Sequence, residues 1–401
     1  MHCGNEMSCV LQTSLPLNTP NLKIQVYLMV ETVYGSGTYV IVTSQTSDVD
    51  ANGRAKFFWH KVLHDLFEGK YDLPVVNSNT AFQLQHNVKR YYLFAVELSG
   101  SPQATTHLLN TGSLASLRFA VNGGLPKHRF RHMPFFGGSG WNLTGIPGGL
   151  GKAFLDWRGS VVRTRLTQDQ WLYFIWQDVG SWGQIQMDLR VKFYRSDGLS
   201  QTINVLTTAV QYKFECWGYP AGFAQLGLSA YETSTAKITK YEVWLEETVL
   251  GTRYVQTEKK MFVVDRNYYE LVVEAHYLNT YGVVCQLTLR GESTVSFNIS
   301  NVESAAYWDN TYDVDRGESI ATDVMVASGG YVASGSVSGQ EAKMILELAA
   351  SRKCLMHDGH QKYLPYRVLT NKFEFRRTQN VLDYSLEFVL DYENELPDLF
   401  L

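Results

Sequence analysis

Ile185-Gln186-Met187-Asp188-Leu189-Arg190-Val191-Lys192-Phe193 alternates apolar and polar side chains over nine residues. Successive side chains on a strand point to opposite faces, so strict alternation predicts a strand with one face in a core and the other toward water. Ser196-Asp197-Gly198 supplies a turn, and Ile203-Asn204-Val205 reads as the returning strand of the hairpin. Upstream, Val161 to Leu166 and Trp171 to Trp176 are dense in β-branched and aromatic residues. Downstream, Val210 to Trp217 and Ile238 to Leu245 continue the pattern. These segments predict one β-sandwich.

The same reading extends to both ends. Lys23 to Val30 and Tyr39 to Val42 flank Gly35-Ser36-Gly37, the signature of a hairpin. Gly53 to Trp59, Phe82 to Leu84 and Arg90 to Glu97 add strands, and Val62 to Phe67, ending at Gly69, predicts one or two helical turns. Toward the C-terminus, Lys260 to Val264, Glu270 to Tyr277, Val284 to Leu289, Thr294 to Phe297, Tyr366 to Leu369 and Leu382 to Leu390 predict strands. Glu341 to Ala350 predicts a helix of strong helix formers with one apolar face. The expectation is an all-β, multidomain chain of β-sandwich domains, Ig/FnIII-like or jelly-roll-like, with one or two short helices. Its parts are an N-terminal arm at 1–20, a sandwich at 21–121, a Gly-rich aromatic loop at 122–151, a second sandwich at 152–256 and a C-terminal β domain with one helix at 257–401.

Composition agrees. The chain has 401 residues, more than one hydrophobic core usually serves. It is 45% apolar, 18% charged and 13% aromatic, which excludes an intrinsically disordered chain and favours strands. A net charge of −4 supplies no global field for nucleic acid or an anionic membrane, so nucleic acid is not an expected partner. The five cysteines, Cys3, Cys9, Cys216, Cys285 and Cys354, are scattered without a Cys-x-x-Cys pair, so free thiols in a reducing cytoplasm are expected. No run approaches the roughly 20 apolar residues of a membrane span. Met1 to Pro20 lacks the basic and apolar halves of a signal peptide, so a soluble, unexported protein is expected.

Clusters that could carry chemistry each have a plainer reading. His60, His64 and Glu68 fall at i, i+4 and i+8, a possible metal-binding helix face, but the segment is short and no fourth ligand is evident. Cys354, His357 and His360 have metal-like spacing beside an Asp358-Gly359 turn, where a polar loop serves equally. Lys127-His128-Arg129-Phe130-Arg131-His132, with Arg158, Arg163 and Arg165, is either a basic patch for single-stranded nucleic acid or a phosphate-rich surface, or else, as the net charge favours, a solvated loop or an inter-subunit contact. Asn142 and Asn298 sit in glycosylation acceptor triplets that decide nothing. Gly-x-Ser-x-Gly, P-loop and His-Glu-x-x-His motifs are absent. A glycosidase carboxylate pair stays open, and Trp141, Trp157 and Trp182 are either sugar platforms or core. No catalytic, metal or cofactor residue is expected.

Two segments are interaction candidates. Residues Asn122 to Gly151 carry nine glycines and three prolines, too many for a regular element. Phe130, Phe135, Phe136 and Trp141 within them are anchors of the kind that dominate interfaces. Residues Met1 to Pro20 lack the alternation of a sheet of their own but keep Val10, Leu11, Leu15 and Leu17, which predicts an arm laid along a partner's surface or sheet edge.

Several segments occur together in order: Gly53-Arg54-Ala55-Lys56-Phe57; Lys89-Arg90-Tyr91-Tyr92 leading to Glu97; Ile238 to Leu245; Tyr277-Leu278-Asn279-Thr280-Tyr281-Gly282; Tyr363 to Val368; and Tyr384 to Phe388. As a set, over roughly residues 21 to 395, the chain resembles tail-associated virion structural proteins of tailed phages and prophages of Bacteroidetes, crAss-like and related. The resemblance implies a tail, baseplate or connector component, assembled in the bacterial host cytoplasm and working by self-association and docking. Its partners would be other virion proteins and copies of itself, and it implies no catalytic residues. The alternative of another class is a carbohydrate-binding or host-receptor module, with a glycoside hydrolase a distant third. A host-surface glycan or protein thus stays open as a partner.

Overall fold

The computed structural model describes residues 8–67, 70–109, 118–122, 154–156, 158–176, 185–210, 215–249, 251–269, 272–305, 319–335, 337, 339–357, 363–370 and 384–393. The chain is an all-β, multidomain, sandwich-like assembly of several sheets, with two α-helices among the described residues. Its contacts divide it into two units. The first is Met1–Asp156, Ser160–Val264 and Asn279–Val284, and the second is Trp157–Gly159, Asp265–Leu278 and Cys285–Leu401.

The first unit begins with β1 (Ser8–Gln12), β2 (Lys23–Glu31), β3 (Tyr39–Asp48), β4 (Arg54–Phe58) and helix α1 (His60–Asp65). It continues with β5 (Phe82–Leu84), β6 (Val88–Ser99), β7 (Ala104–Leu108) and β8 (Arg118–Val121). Strands β3-β2-β6-β7 form an antiparallel sheet, with β8 pairing the start of β6, and β1 pairs β4 in a separate ribbon. Period-two alternation sends Ile24, Val26 and Leu28 of β2 inward at 0% exposure. They meet Leu11, Ala55 and Phe57 of the ribbon and Leu63 of α1 in one core. Burial of this kind stabilises by about 1.5–3 kcal/mol per side chain.

The arm expected to lie along a partner is instead, from Ser8 to Gln12, a strand of this chain's own fold. Ser8 to Gln12 run antiparallel to Phe58 to Arg54 of the same chain. The physical reason is long-range: Leu11 finds an apolar floor and the segment after it finds the carboxylate of Glu97, neither of which is visible in local alternation.

The unit continues with β9 (Val161–Arg165), β10 (Trp171–Ile175), β11 (Ile185–Arg195), β12 (Ser200–Val210), β13 (Cys216–Pro220), β14 (Ile238–Val249), β15 (Thr252–Val255) and β16 (Lys260–Asp265). A 3₁₀ turn spans Leu228–Tyr231. The main sheet runs β12-β11-β14-β16-β9, with β15 on β14, and a three-stranded sheet runs β10-β13-β5. As the alternation requires, Met187, Leu189, Val191 and Phe193 are fully buried. They share a core with Phe174, Tyr219, Tyr241 and Phe262. The hairpin predicted from Ser196-Asp197-Gly198 forms, with Gly198 at φ 86°. Strand β12 ends at Val210 and β13 starts at Cys216, and residues 211–214 of the strand expected across Val210 to Trp217 lie outside the described residues. β5, 132 residues before β13, completes that small sheet.

The second unit holds β17 (Val273–Leu278), β18 (Val284–Leu289), β19 (Ser293–Ala305), β20 (Ser319–Ala333), helix α2 (Gly339–Ala349), β21 (Cys354–His357), β22 (Tyr363–Val368) and β23 (Ser385–Glu393). All seven strands form one sheet in the order β18-β17-β21-β22-β23-β20-β19. Ala342, Ile345 and Leu348 of α2 join Tyr277, Leu287, Tyr366, Leu386 and Phe388 in its core. Strand β20 has no counterpart in the sequence reading, because Gly329, Gly330, Ser328 and Asp323 interrupt its β-branched run.

Candidate functional site

Three surface features stand out. The first is the outer rim of the first unit's leading sheet. Strand β3 is its edge, and among the described residues it pairs with β2 alone. From Tyr39 to Ser47 it carries no charge, proline or glycine. Val42 is an extra residue, a bulge between the Leu28–Thr43 and Met29–Ile41 pairs. Val40, Ile41 and Val42 are 47%, 60% and 37% exposed. The face of the sheet away from the core adds aromatics: Tyr27 lies 6.0 Å from Phe94 and Tyr39 lies 4.9 Å from Tyr92. The tip of the β2–β3 hairpin is rigid, because buried Glu31 accepts hydrogen bonds from Gly35 N and Gly37 N and lies 3.3 Å from Arg90.

The second feature is the anchored N-terminal segment. Of its interaction candidates, Leu11 is buried in the core, Leu15 is half-buried, and Val10 and Leu17 are 57% and 56% exposed. Glu97 is buried and accepts from Thr13 Oγ1, Ser14 N and Ser14 Oγ. Burial pushes its carboxyl upward, but those hydrogen bonds outweigh burial and the net shift is downward.

The third is a trough of about 500 Å³ on the second unit's sheet, over Gly329. Register assembles it. Tyr331 of β20 sits between Thr294 of β19 and Glu387 of β23, and Gly329 sits between Ser296 and Val389.

The other expected groupings fare as follows. His60 and His64 lie on α1, while Glu68 lies outside the described residues. Cys354 is buried on a strand, its Sγ 3.4 Å from Leu348 O, with His357 ending that strand and His360 outside the described residues. Phe130, Phe135, Phe136, Trp141, Trp157, Trp182 and the 127–132 basic run also lie outside them. Arg158 is buried, and Arg163 and Arg165 belong to β9. Among the described residues no three His, Cys, Asp or Glu side chains converge as metal ligands, and no helix is long and apolar enough to cross a membrane. Neither the β3 edge nor the trough carries a motif; a long uncharged strand beside a hairpin turn is the one signal from which the first could have been found.

No family model and no curated protein matches the chain. Among solved structures it is similar to the plexin A4 full extracellular region, domains 1 to 8, at 8% identity and a TM-score of 0.18. That match covers 97% of this chain and 35% of the other, and a superposition so loose carries no argument about function.

Proposed function

We propose that this chain is a structural protein of a tailed-phage virion, a tail or baseplate component that acts by self-assembly and docking. The observation that carries the reading is the edge of β3. Monomeric proteins blunt such edges with lysine, proline or inward charge, because unpaired N–H and C=O groups recruit another strand. Here the rim is ten residues long, and its only charge is the terminal Asp48. The bulge at Val42 adds twist but leaves three consecutive apolar side chains in water. Pairing with a neighbour would satisfy the backbone and cover those side chains together. The resemblance of the ordered motif set to tail-associated virion proteins supplies the setting. A host-recognition role for the same component is favoured by a separate feature, the hydroxyl-lined trough over Gly329.

Light-scattering mass across a concentration series tests the proposal. The wild-type chain is expected to associate, and a Val40→Lys, Ile41→Lys variant to remain monomeric with an unchanged melting temperature. A wild-type chain that stays monomeric at every concentration, or a variant that associates equally, refutes it.

A further inference from the structure

We propose that the trough on the second unit's seven-stranded sheet is a binding site for a neutral saccharide. It is built by register from strands far apart in sequence. On one row Thr294, Tyr331 and Glu387 are neighbours, and on the next Ser296, Gly329 and Val389 are. Gly329 keeps the floor open, since an added Cβ would stand 2.7 Å from Phe388 O, so no side chain fits there. The row beside it is held by Leu369 N donating to Glu387 O at 2.8 Å and by Glu387 N donating to the Thr370 hydroxyl at 2.7 Å. Inward, Leu386, Phe388 and Leu390 are buried, so β23 is fixed by its core face while Ser385 and Glu387 point to solvent.

The lining selects the ligand class. β20 and β23 are interior strands, so their backbone groups are already paired; a peptide strand could add only along the outer side of β19, beside the trough and not in it. Among the described lining residues there is no lysine, arginine or histidine, and there is one carboxylate, which disfavours a phosphate or other anion. Hydroxyls at Thr294, Ser296 and Ser385 beside Glu387 make the wall too polar for a lipid chain, because covering them without hydrogen bonds is costly. A sugar ring matches what remains. Its apolar face can lie on the half-buried Tyr331 ring while its hydroxyls donate to Glu387 and exchange hydrogen bonds with the serine and threonine oxygens. The volume of about 500 Å³ is within the usual range for small-ligand sites.

The test uses the full chain on an array of neutral glucose, galactose, mannose, rhamnose and N-acetylglucosamine oligosaccharides, followed by calorimetric titration with the best binder. Wild type is expected to bind. Tyr331→Ala and Glu387→Gln should each weaken binding by about tenfold or more, as the loss of one stacking or charge-assisted contact implies. Val75→Ser, at an exposed position of the first unit, should leave binding unchanged. Absence of binding to every neutral glycan, preference for an acidic one, or retention of affinity in both trough variants overturns the proposal. Glu387 is exposed, so Glu387→Gln decides the matter even if Tyr331→Ala fails to fold.

Discussion

Ser14 holds both oxygens of Glu97: its backbone N donates to Oε1 at 2.7 Å and its hydroxyl to Oε2 at 2.7 Å, across 83 positions of sequence. A buried carboxylate thereby ties the segment that follows β1 to the end of β6. Hydrogen bonds to a charged acceptor are worth about 1.5–3 kcal/mol each, so this is the principal polar anchor of the N-terminal segment.

Glu97→Ala is expected to free the N-terminal segment while the rest of the unit stays folded. Hydrogen exchange at residues 8–12 reads it out: protection should fall sharply in the variant and remain at β2 and β6. Uniform protection in wild type and variant would show that the β1–β4 ladder alone holds the segment.

The same carboxylate sets a pH dependence. Its folded-state value lies below the ordinary 4.5. Its contribution is therefore present above pH 4.5 and is lost as pH falls through the folded value. Protection at residues 8–12, taken relative to the intrinsic exchange rate at each pH, should fall in acid before global unfolding, and Glu97→Gln should remove that acid step. An acid step that persists in Glu97→Gln would assign it to another group.

Lys260 is 1% exposed and its Nζ lies 2.8 Å from Asp156 Oδ1, with Glu258 Oε1 at 3.9 Å. Lys260→Met removes the ammonium and leaves a buried carboxylate behind, which destabilises by about 3–5 kcal/mol. A Lys260→Met, Asp156→Leu double variant should recover much of that loss. Chemical denaturation of the three proteins measures the difference, and a double variant less stable than the single one contradicts the assignment.

Gly282 sits at φ +72°, and an added Cβ would lie 2.6 Å from Asn122 Cβ. Asn87 Nδ2 donates to Gly282 O at 2.8 Å and to Tyr281 O at 3.1 Å, inside the first unit. Gly282→Ala must both strain the backbone and push against Asn122, so a loss of at least about 1–3 kcal/mol is expected. A melting temperature equal to wild type would show that the turn yields.

The thiols offer a chemical check. Cys216, Cys285 and Cys354 are buried, and burial, then the nearby Asp72, pushes the Cys216 thiol well above its ordinary value. Alkylation of the native protein at neutral pH should spare these three and mark them only after denaturant. Labelling of Cys216 in native conditions would mean that the β5–β13 pairing opens readily.

Local pattern alone determined a large part of this protein. The β2–β3 and β11–β12 hairpins, the alternating β11 and the apolar face of α2 were legible because each is specified by neighbours within a dozen or so residues: side-chain period, turn glycines and helix formers. Tertiary structure decided the rest. The pairing of β1 with β4, the recruitment of β5 to β13 and the existence of the glycine-interrupted β20 all depend on partners that local pattern does not contain. Nor does any spacing bring Thr294, Tyr331 and Glu387 into one row; only the register of three strands does. The docking of Ser14 on Glu97 belongs with these, since a serine and a glutamate carry no signal until burial makes their hydrogen bonds obligatory.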